Sequence, residues 1–176
     1  ISHDNNYLFV AFADSTARLY NILLKNDSAE KYSVIPGKLN NVPVSIQFAP
    51  ERSKMAIVFD NQTVGVWDMD MKTLDLCSEN ATSAFFSPFH NKLITVFGNS
   101  IKVWDSTNLI IPNSTLSGNK HHIYKSGCSA DGKKVWAVTI NKELKLWMID
   151  TISENGTIRG IWDNADFAAF SAKEDK

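Results

Sequence analysis

Three segments of the chain close on the same short pattern, VGVWD at Val64–Asp68, IKVWD at 101–105 and LKLWM at 144–148. Repetition constrains this chain more than any other feature, because a short unit that cannot bury its own apolar face must stack on copies of itself. Written in parallel, the units start at Asn5 (NNYLFVAFADSTARLYNI), Val42 (VPVSIQFAPERSKMAIVFDNQTVGVWDMD), Ala81 (ATSAFFSPFHNKLITVFGNSIKVWDST) and His121 (HHIYKSGCSADGKKVWAVTINKELKLWMID). Each full unit reads as apolar strand, turn, apolar strand, tight polar turn, apolar strand.

The last strand of each unit alternates with period two. Val64 and Val66, Ile101 and Val103, and Leu144 and Leu146 point one way, while Gly65, Lys102 and Lys145 point the other. Ala49-Pro50, Ser87-Pro88 and Ala130-Asp131-Gly132 punctuate the first turns, and Asp60-Asn61, Gly98-Asn99 and Asn141-Lys142 the second. No helical pattern competes. Aligning the third strands puts Tyr20, Trp67, Trp104 and Trp147 in register, at separations of 47, 37 and 43 residues. That spacing brackets the ~40 to 45 residue period of a four-stranded propeller repeat.

On Phe86-Ser87-Pro88, Cys128-Ser129-Ala130-Asp131-Gly132, Val66-Trp67-Asp68, Val103-Trp104-Asp105 and Leu146-Trp147, the sequence resembles the WD-repeat family of β-propellers, and the likeness covers nearly the whole chain. It implies an all-β fold of four-stranded antiparallel blades, about four blades' worth. The blades would be residues 1–41, lacking its first strand, 42–80, 81–120 and 121–164, with 165–176 opening another. Fourth strands are expected at Lys31–Ile35, Thr73–Cys77, Thr115–Gly118 and TIRGIWD (157–163). Trp162 follows Trp147 by only 15 residues, too few for a further third strand, so GIWDN does not close a repeat. Phe167–Ser171 reads instead as a first strand. It would either return to the blade at Asn5 or belong to a larger ring of about seven blades, the larger ring being favoured. An antiparallel sandwich or barrel with similar strand spacing stays open as an alternative.

The resemblance also implies a buried set in each blade joining Trp, a strand-two Ser or Thr, a His and a turn Asp. Here the turn positions are Asp14, Asn61, Asn99 and Asn141, and the hydroxyl position reads Phe12, Phe59, Phe97 and Thr139. A half-built polar network is worse than an apolar one, so His should be missing where Phe sits. Only the unit with His121, His122 and Thr139 could keep a partial version.

Eighteen basic and nineteen acidic residues leave a net charge of −1, with no concentrated basic face for phosphates. Direct nucleic-acid binding is therefore not expected. There is no apolar run of membrane-spanning length, and ISHDNN lacks the layout of a signal peptide. Cys77 and Cys128 are too few for a disulfide scaffold and fit a reducing compartment, the cytoplasm or the nucleus. Against that compartment stand five Asn-x-Ser/Thr triplets, at Asn26, Asn61, Asn80, Asn113 and Asn155, of which about two or three would arise by chance in a chain rich in these residues, and glycosylation is not expected.

No phosphate-binding loop, dinucleotide fingerprint or nucleophile elbow occurs, so no cofactor or metal is expected. Asp68, Asp70 and Asp75 read as a solvated turn, and His121 and His122 as structural. A channel-facing enzyme would have to draw on Ser45, Gln47, Ser83, Tyr124, Phe167 and Asp166, with Asp166 the main charged candidate. That is a poor catalytic set. The resemblance implies instead a non-catalytic scaffold for other proteins, the remaining blades coming from the parent chain; RNA-associated assembly is a further alternative. Its binding rim would carry Asp14, Asn40, Asn41, Asp60, Asn61, Asn80, Asn99, His121, Asn141, Lys142 and Asn164. Tyr20, Trp67, Asp68, Trp104, Asp105 and Trp147 would be the structural repeat positions.

Overall fold

A computed structural model describes residues 1–22, 32–34, 41–50, 53–88, 92–149, 157–162 and 164–170; for 32–34 and 157–162 it describes the backbone alone. The described residues are all-β and form four antiparallel sheets, each a meander in chain order. Sheet one has three strands, β1 (Tyr7–Ala11), β2 (Ala17–Asn21) and β3 (Tyr32–Val34). Sheet two comprises β4 (Pro43–Phe48), β5 (Lys54–Phe59), β6 (Val64–Asp68) and β7 (Thr73–Leu76). Sheet three comprises β8 (Ser83–Phe86), β9 (Lys92–Phe97), β10 (Ser100–Asp105) and β11 (Ser114–Leu116). Sheet four comprises β12 (Ile123–Cys128), β13 (Lys134–Thr139), β14 (Leu144–Met148) and β15 (Thr157–Trp162).

The turns explain the meander. Between second and third strands, the N–H groups of Phe12, Phe59 and Thr139 bond the carbonyls of Thr16, Thr63 and Glu143, each at 2.9 Å. Each closes a three-residue loop whose last residue, Ser15, Gln62 or Lys142, takes φ near +65° (63°, 69° and 64°). This is the three-residue hairpin with a left-handed final position. Sheet three is one residue tighter: Phe97 pairs with Ser100 across Gly98 (φ 59°) and Asn99. A second turn recurs, before β1 in sheet one and between β12 and β13 in sheet four. Ser2 Oγ donates to Asp4 Oδ1 (2.6 Å) and accepts from Tyr7 N (2.9 Å); Ser129 Oγ likewise donates to Asp131 Oδ1 and accepts from Lys134 N (2.9 Å). Asn5 (φ 59°) stands where Gly132 (φ 68°) does.

Sheets pack face to face with their neighbours in sequence. Ala17, Leu19, Tyr7 and Phe9 of sheet one meet Met55, Ile57, Phe59 and Trp67 of sheet two. The other face of sheet two, with Ala56, Val58, Val64 and Val66, meets Ala84, Phe86, Leu93 and Trp104 of sheet three. The far face of sheet three, with Ile94, Val96, Ile101 and Val103, meets Val135, Ala137 and Trp147 of sheet four. Each Trp therefore faces the preceding sheet. Strict alternation in β6, β10 and β14 makes this so, since it sends the Trp one way and the branched residues beside it the other.

Side chains also bridge the sheets. Gln47 Oε1 accepts from Phe86 N (3.0 Å). Lys54 Nζ donates to Ser106 O of sheet three (3.2 Å), and Lys92, at the matching start of β9, donates to Ile149 O beyond β14 (3.1 Å). In both cases the acceptor lies two residues after the tryptophan of the next sheet. The same lysine position in sheet four is Lys134.

The expected fourth strands at Lys31–Ile35, Thr73–Cys77 and TIRGIWD appear as β3, β7 and β15, each pairing with the strand that precedes it in its sheet; Lys31, Ile35 and Asp163 lie outside the described residues. That at Thr115–Gly118 is shifted to Ser114–Leu116, because Gly118 takes φ 102° and leaves the ladder. Phe167–Ser171 is not borne out as a strand over its described part. Residues 164–170 form no ladder, since Phe167 packs its ring on the face of sheet four, against Trp136 (centroids 6.4 Å), and not along a strand edge. Nor, among the described residues, does any strand pair with the free edge of β1.

The buried Trp set also differs from expectation. Trp104 Nε1 donates to Thr95 Oγ1 (2.8 Å), deep between sheets two and three. Thr95 lies two residues beyond Leu93, the register partner of Trp104. The corresponding residues are Ile57 for Trp67 and Ala137 for Trp147, which offer no acceptor, and both of those Nε1 groups are buried without a partner. Thr139 does not serve Trp147: its hydroxyl accepts from Glu143 N (3.2 Å) in its own hairpin. The sequence alignment puts the hydroxyl position at the strand end, whereas cross-strand geometry places it two residues earlier in sheets two, three and four alike.

Thr95→Val keeps the shape and removes the acceptor, leaving a third buried indole N–H unpaired. It is expected to lower stability by about 1–3 kcal/mol, read as a lower urea midpoint at unchanged slope.

Candidate interaction rim

Loops entering the first strands and hairpins between second and third strands meet along one edge, joined by a recurring pair of backbone bonds. An entering loop bonds its own sheet's hairpin, as in Asp60 N to Val42 O (2.9 Å), Thr82 N to Val96 O (2.8 Å) and Ile140 N to His122 O (2.8 Å). It also bonds the hairpin of the sheet before: Ala81 N to Gln62 O, Ile123 N to Gly98 O and Ala165 N to Lys142 O, each at 2.8 Å. Gln62, Gly98 and Lys142, left-handed residues of their hairpins, turn their carbonyls toward the next unit, so backbone geometry builds the edge.

The predicted rim residues fall on these elements. Asp14 is in the β1–β2 hairpin, Asp60 and Asn61 in β5–β6, Asn99 in β9–β10, and Asn141 and Lys142 in β13–β14; Asn41, Asn80, His121 and Asn164 are in entering loops. Asn40 lies outside the described residues. Several are occupied in shaping their own turns. Asp14 accepts from Thr16 N and Oγ1 (3.0 and 2.6 Å), and Asn61 from Thr63 N and Oγ1 (3.1 and 2.8 Å). Asn99 Nδ2 donates to Asn119 O, and Asn119 Nδ2 returns the bond to Asn99 O (3.0 and 3.1 Å). Lys142 pairs with Asp166 at 2.8 Å, which raises its pKa.

The repeat positions divide by role. Trp67, Trp104 and Trp147 are fully buried, whereas Tyr20, in their register, is only partly covered. Asp68 and Asp105 cap turns: Asp68 Oδ1 accepts from Asp70 N and Met71 N (3.0 and 2.9 Å), and Asp105 Oδ1 from Thr107 N and Oγ1 (2.9 and 2.6 Å). The Thr107 bonds lower the Asp105 pKa. Asp75 is exposed on β7, apart from that turn.

Two adjoining cavities, of about 410 and about 630 Å³, share Gly98 and His122 in their walls, the smaller against sheet three and its flanking loops and the larger reaching from sheet three across β12 to Trp136. His122 is exposed, its ring about 4 Å from where a Gly98 side chain would begin, so it borders the cavities and enters no buried network. The smaller cavity holds Lys120 and the Lys102–Glu79 ion pair. Tyr124, Lys125, Trp136 and Phe167 line the larger one. Lys125 Nζ lies 5.3 Å from both the Tyr124 and the Phe167 ring centroids, and Tyr124 OH donates to Asp166 O.

The sequence reading missed this aromatic group, because Trp136 had the look of an ordinary second-strand residue. One signal was present: Gly127 is opposite Trp136 in the ladder, and a side chain there would come within 2.8 Å of the indole. Glycine makes the room.

Among the described residues no cluster of three or more His, Cys, Asp or Glu side chains could hold a metal ion, and no helix is long and apolar enough to cross a membrane. Of the catalytic alternatives, Gln47 is spent on the inter-sheet bond and Asp166 on Lys142. Asn61, Asn80 and Asn113 are on described loops, while Asn26 and Asn155 lie outside the described residues. The sequence matches no protein-family model and no curated protein.

Both cysteines are free, Cys77 buried just after β7 and Cys128 half-buried in β12. Burial pushes their thiols up, to about 12 for Cys77, where Glu79 adds to the effect, and to about 11 for Cys128. In the unfolded chain they ionise near ~8.5. Between the two values the unfolded state holds fewer protons, so stability should fall as pH rises above about 8.5. At pH 8 a thiol reagent is expected to label the native protein far more slowly than the urea-unfolded chain.

Proposed function

We propose that the chain supplies blades of a WD-repeat-like β-propeller and works as a non-catalytic scaffold that binds other proteins through the rim. The observation carrying this reading is the shared geometry of successive units: antiparallel meanders of three or four strands, each Trp against the preceding sheet, and the loops after sheets two, three and four each bonded to the preceding hairpin. A rigid stack that lines up loops along one edge is how binding surfaces are commonly built.

The pattern also supports further blades in the parent protein. Ala165 repeats the connector bond of Ala81 and Ile123, and Lys134 repeats Lys54 and Lys92. Sheet four presents Leu144, Leu146 and Met148 of β14, none of them fully buried, on the side away from sheet three. Such a face suits another sheet.

In the intact parent protein, a triple change at the rim, Asn80→Ala, Asn141→Ala and Lys142→Ala, is expected to remove stoichiometric protein partners recovered by crosslinking. A matched change at Met71 and Lys72, in the β6–β7 turn, should leave them in place. Turnover of a substrate that disappears with Asp166→Asn would instead establish the enzymatic reading.

A further inference from the structure

The paired cavities at His122 hold a distinctive set of groups. In a chain of net charge −1, their walls carry Lys102, Lys120 and Lys125 against a single carboxylate, Glu79. Lys102 is matched by Glu79, which leaves Lys120 and Lys125 as the uncompensated charges. The next carboxylate along the rim, Asp166, is itself matched by Lys142. Lys120 and Lys125 thus flank His122 with positive charge.

Beside them is apolar surface that the fold leaves uncovered. Phe167 is 70% exposed, and Tyr124 44%, with Trp136 behind them. Lys125 lies near two of these rings, so an anionic group reaching its ammonium would bring its neighbouring side chain onto the aromatics. Aromatic side chains are common energetic centres of protein-recognition patches. The cavities are within the size range of ligand pockets, ~300 to 1,000 Å³.

We infer that this groove binds a short acidic segment of a partner protein, its carboxylates at Lys120 and Lys125 and one aromatic side chain against Phe167 and Trp136. The inference rests on the scaffold reading and names the chemistry of its partner. Nucleic acid fits less well, since two free lysines neutralise too few phosphates to hold a strand. Charge complementarity would dominate the on-rate and the salt dependence.

The test is fluorescence anisotropy with a labelled hexapeptide of glutamates flanking one phenylalanine, titrated with the protein at low and moderate salt. Binding is expected to weaken with salt, and to fall at least about tenfold with Lys120→Glu plus Lys125→Glu, and again when the peptide phenylalanine is replaced by serine. Phe167→Ser should reproduce the serine effect from the protein side. Lys72→Glu, in the β6–β7 turn, should change nothing, and the variants' circular dichroism should match that of the parent. Equal binding of a lysine-for-glutamate peptide, indifference to the lysine reversals, tighter binding of an oligouridylate of similar length, or no binding up to millimolar protein would each overturn the inference. If the peptide fails while the rim triple variant still loses its partners, the acidic-segment assignment falls and the scaffold reading stands.

Discussion

The structure depends on burying large indoles between sheets that cannot stand alone. A single meander has two faces and shelters neither, but Trp67, Trp104 and Trp147 each close the gap to the preceding sheet. Burying a side chain of that size is worth several kcal/mol, comparable to the net stability of a small domain. Other inter-sheet features follow from the same stacking. Lys54 and Lys92 reach carbonyls just past the next sheet's tryptophan because the stacked sheets bring those backbone groups alongside. Stacking also lines up the hairpins and entering loops along one edge.

The stack has a weak point at the indole N–H. Only Trp104, among the three, has its acceptor, Thr95, while Trp67 and Trp147 leave a buried donor unpaired. An unpaired buried donor costs about as much as a good hydrogen bond contributes. Sheets two and four therefore rely on apolar packing around Ile57 and Ala137 more than sheet three does.

Much of this was legible in the residues. Period-two alternation in VGVWD and SIKVWD placed the tryptophans on one face, and turn residues such as Gly98-Asn99 fixed the hairpins. What the sequence hid was cross-strand register. Thr95 and Phe97 are two residues apart on one strand, and only pairing with Trp104 shows which of them meets the indole. The Ser2-Asp4 turn was likewise obscured, because Asn5 takes the left-handed place that Gly132 fills in its counterpart. The rim was readable as a set of loops, but the groove within it was not: Tyr124, Trp136 and Phe167 are widely separated in the chain and meet only where Gly127 makes room.

The central claim is that neighbouring sheets stabilise one another face to face, as in stacked repeats, and are not separate hairpin modules. Residue-resolved native-state hydrogen exchange tests this most directly. The account predicts that the slowest amides are in β5 and β9, whose sheets are covered on both faces, and that they exchange together through a common opening. Fast exchange in β9, or separate opening free energies for sheets two and three with no effect of Trp104→Ala on β5, would contradict it.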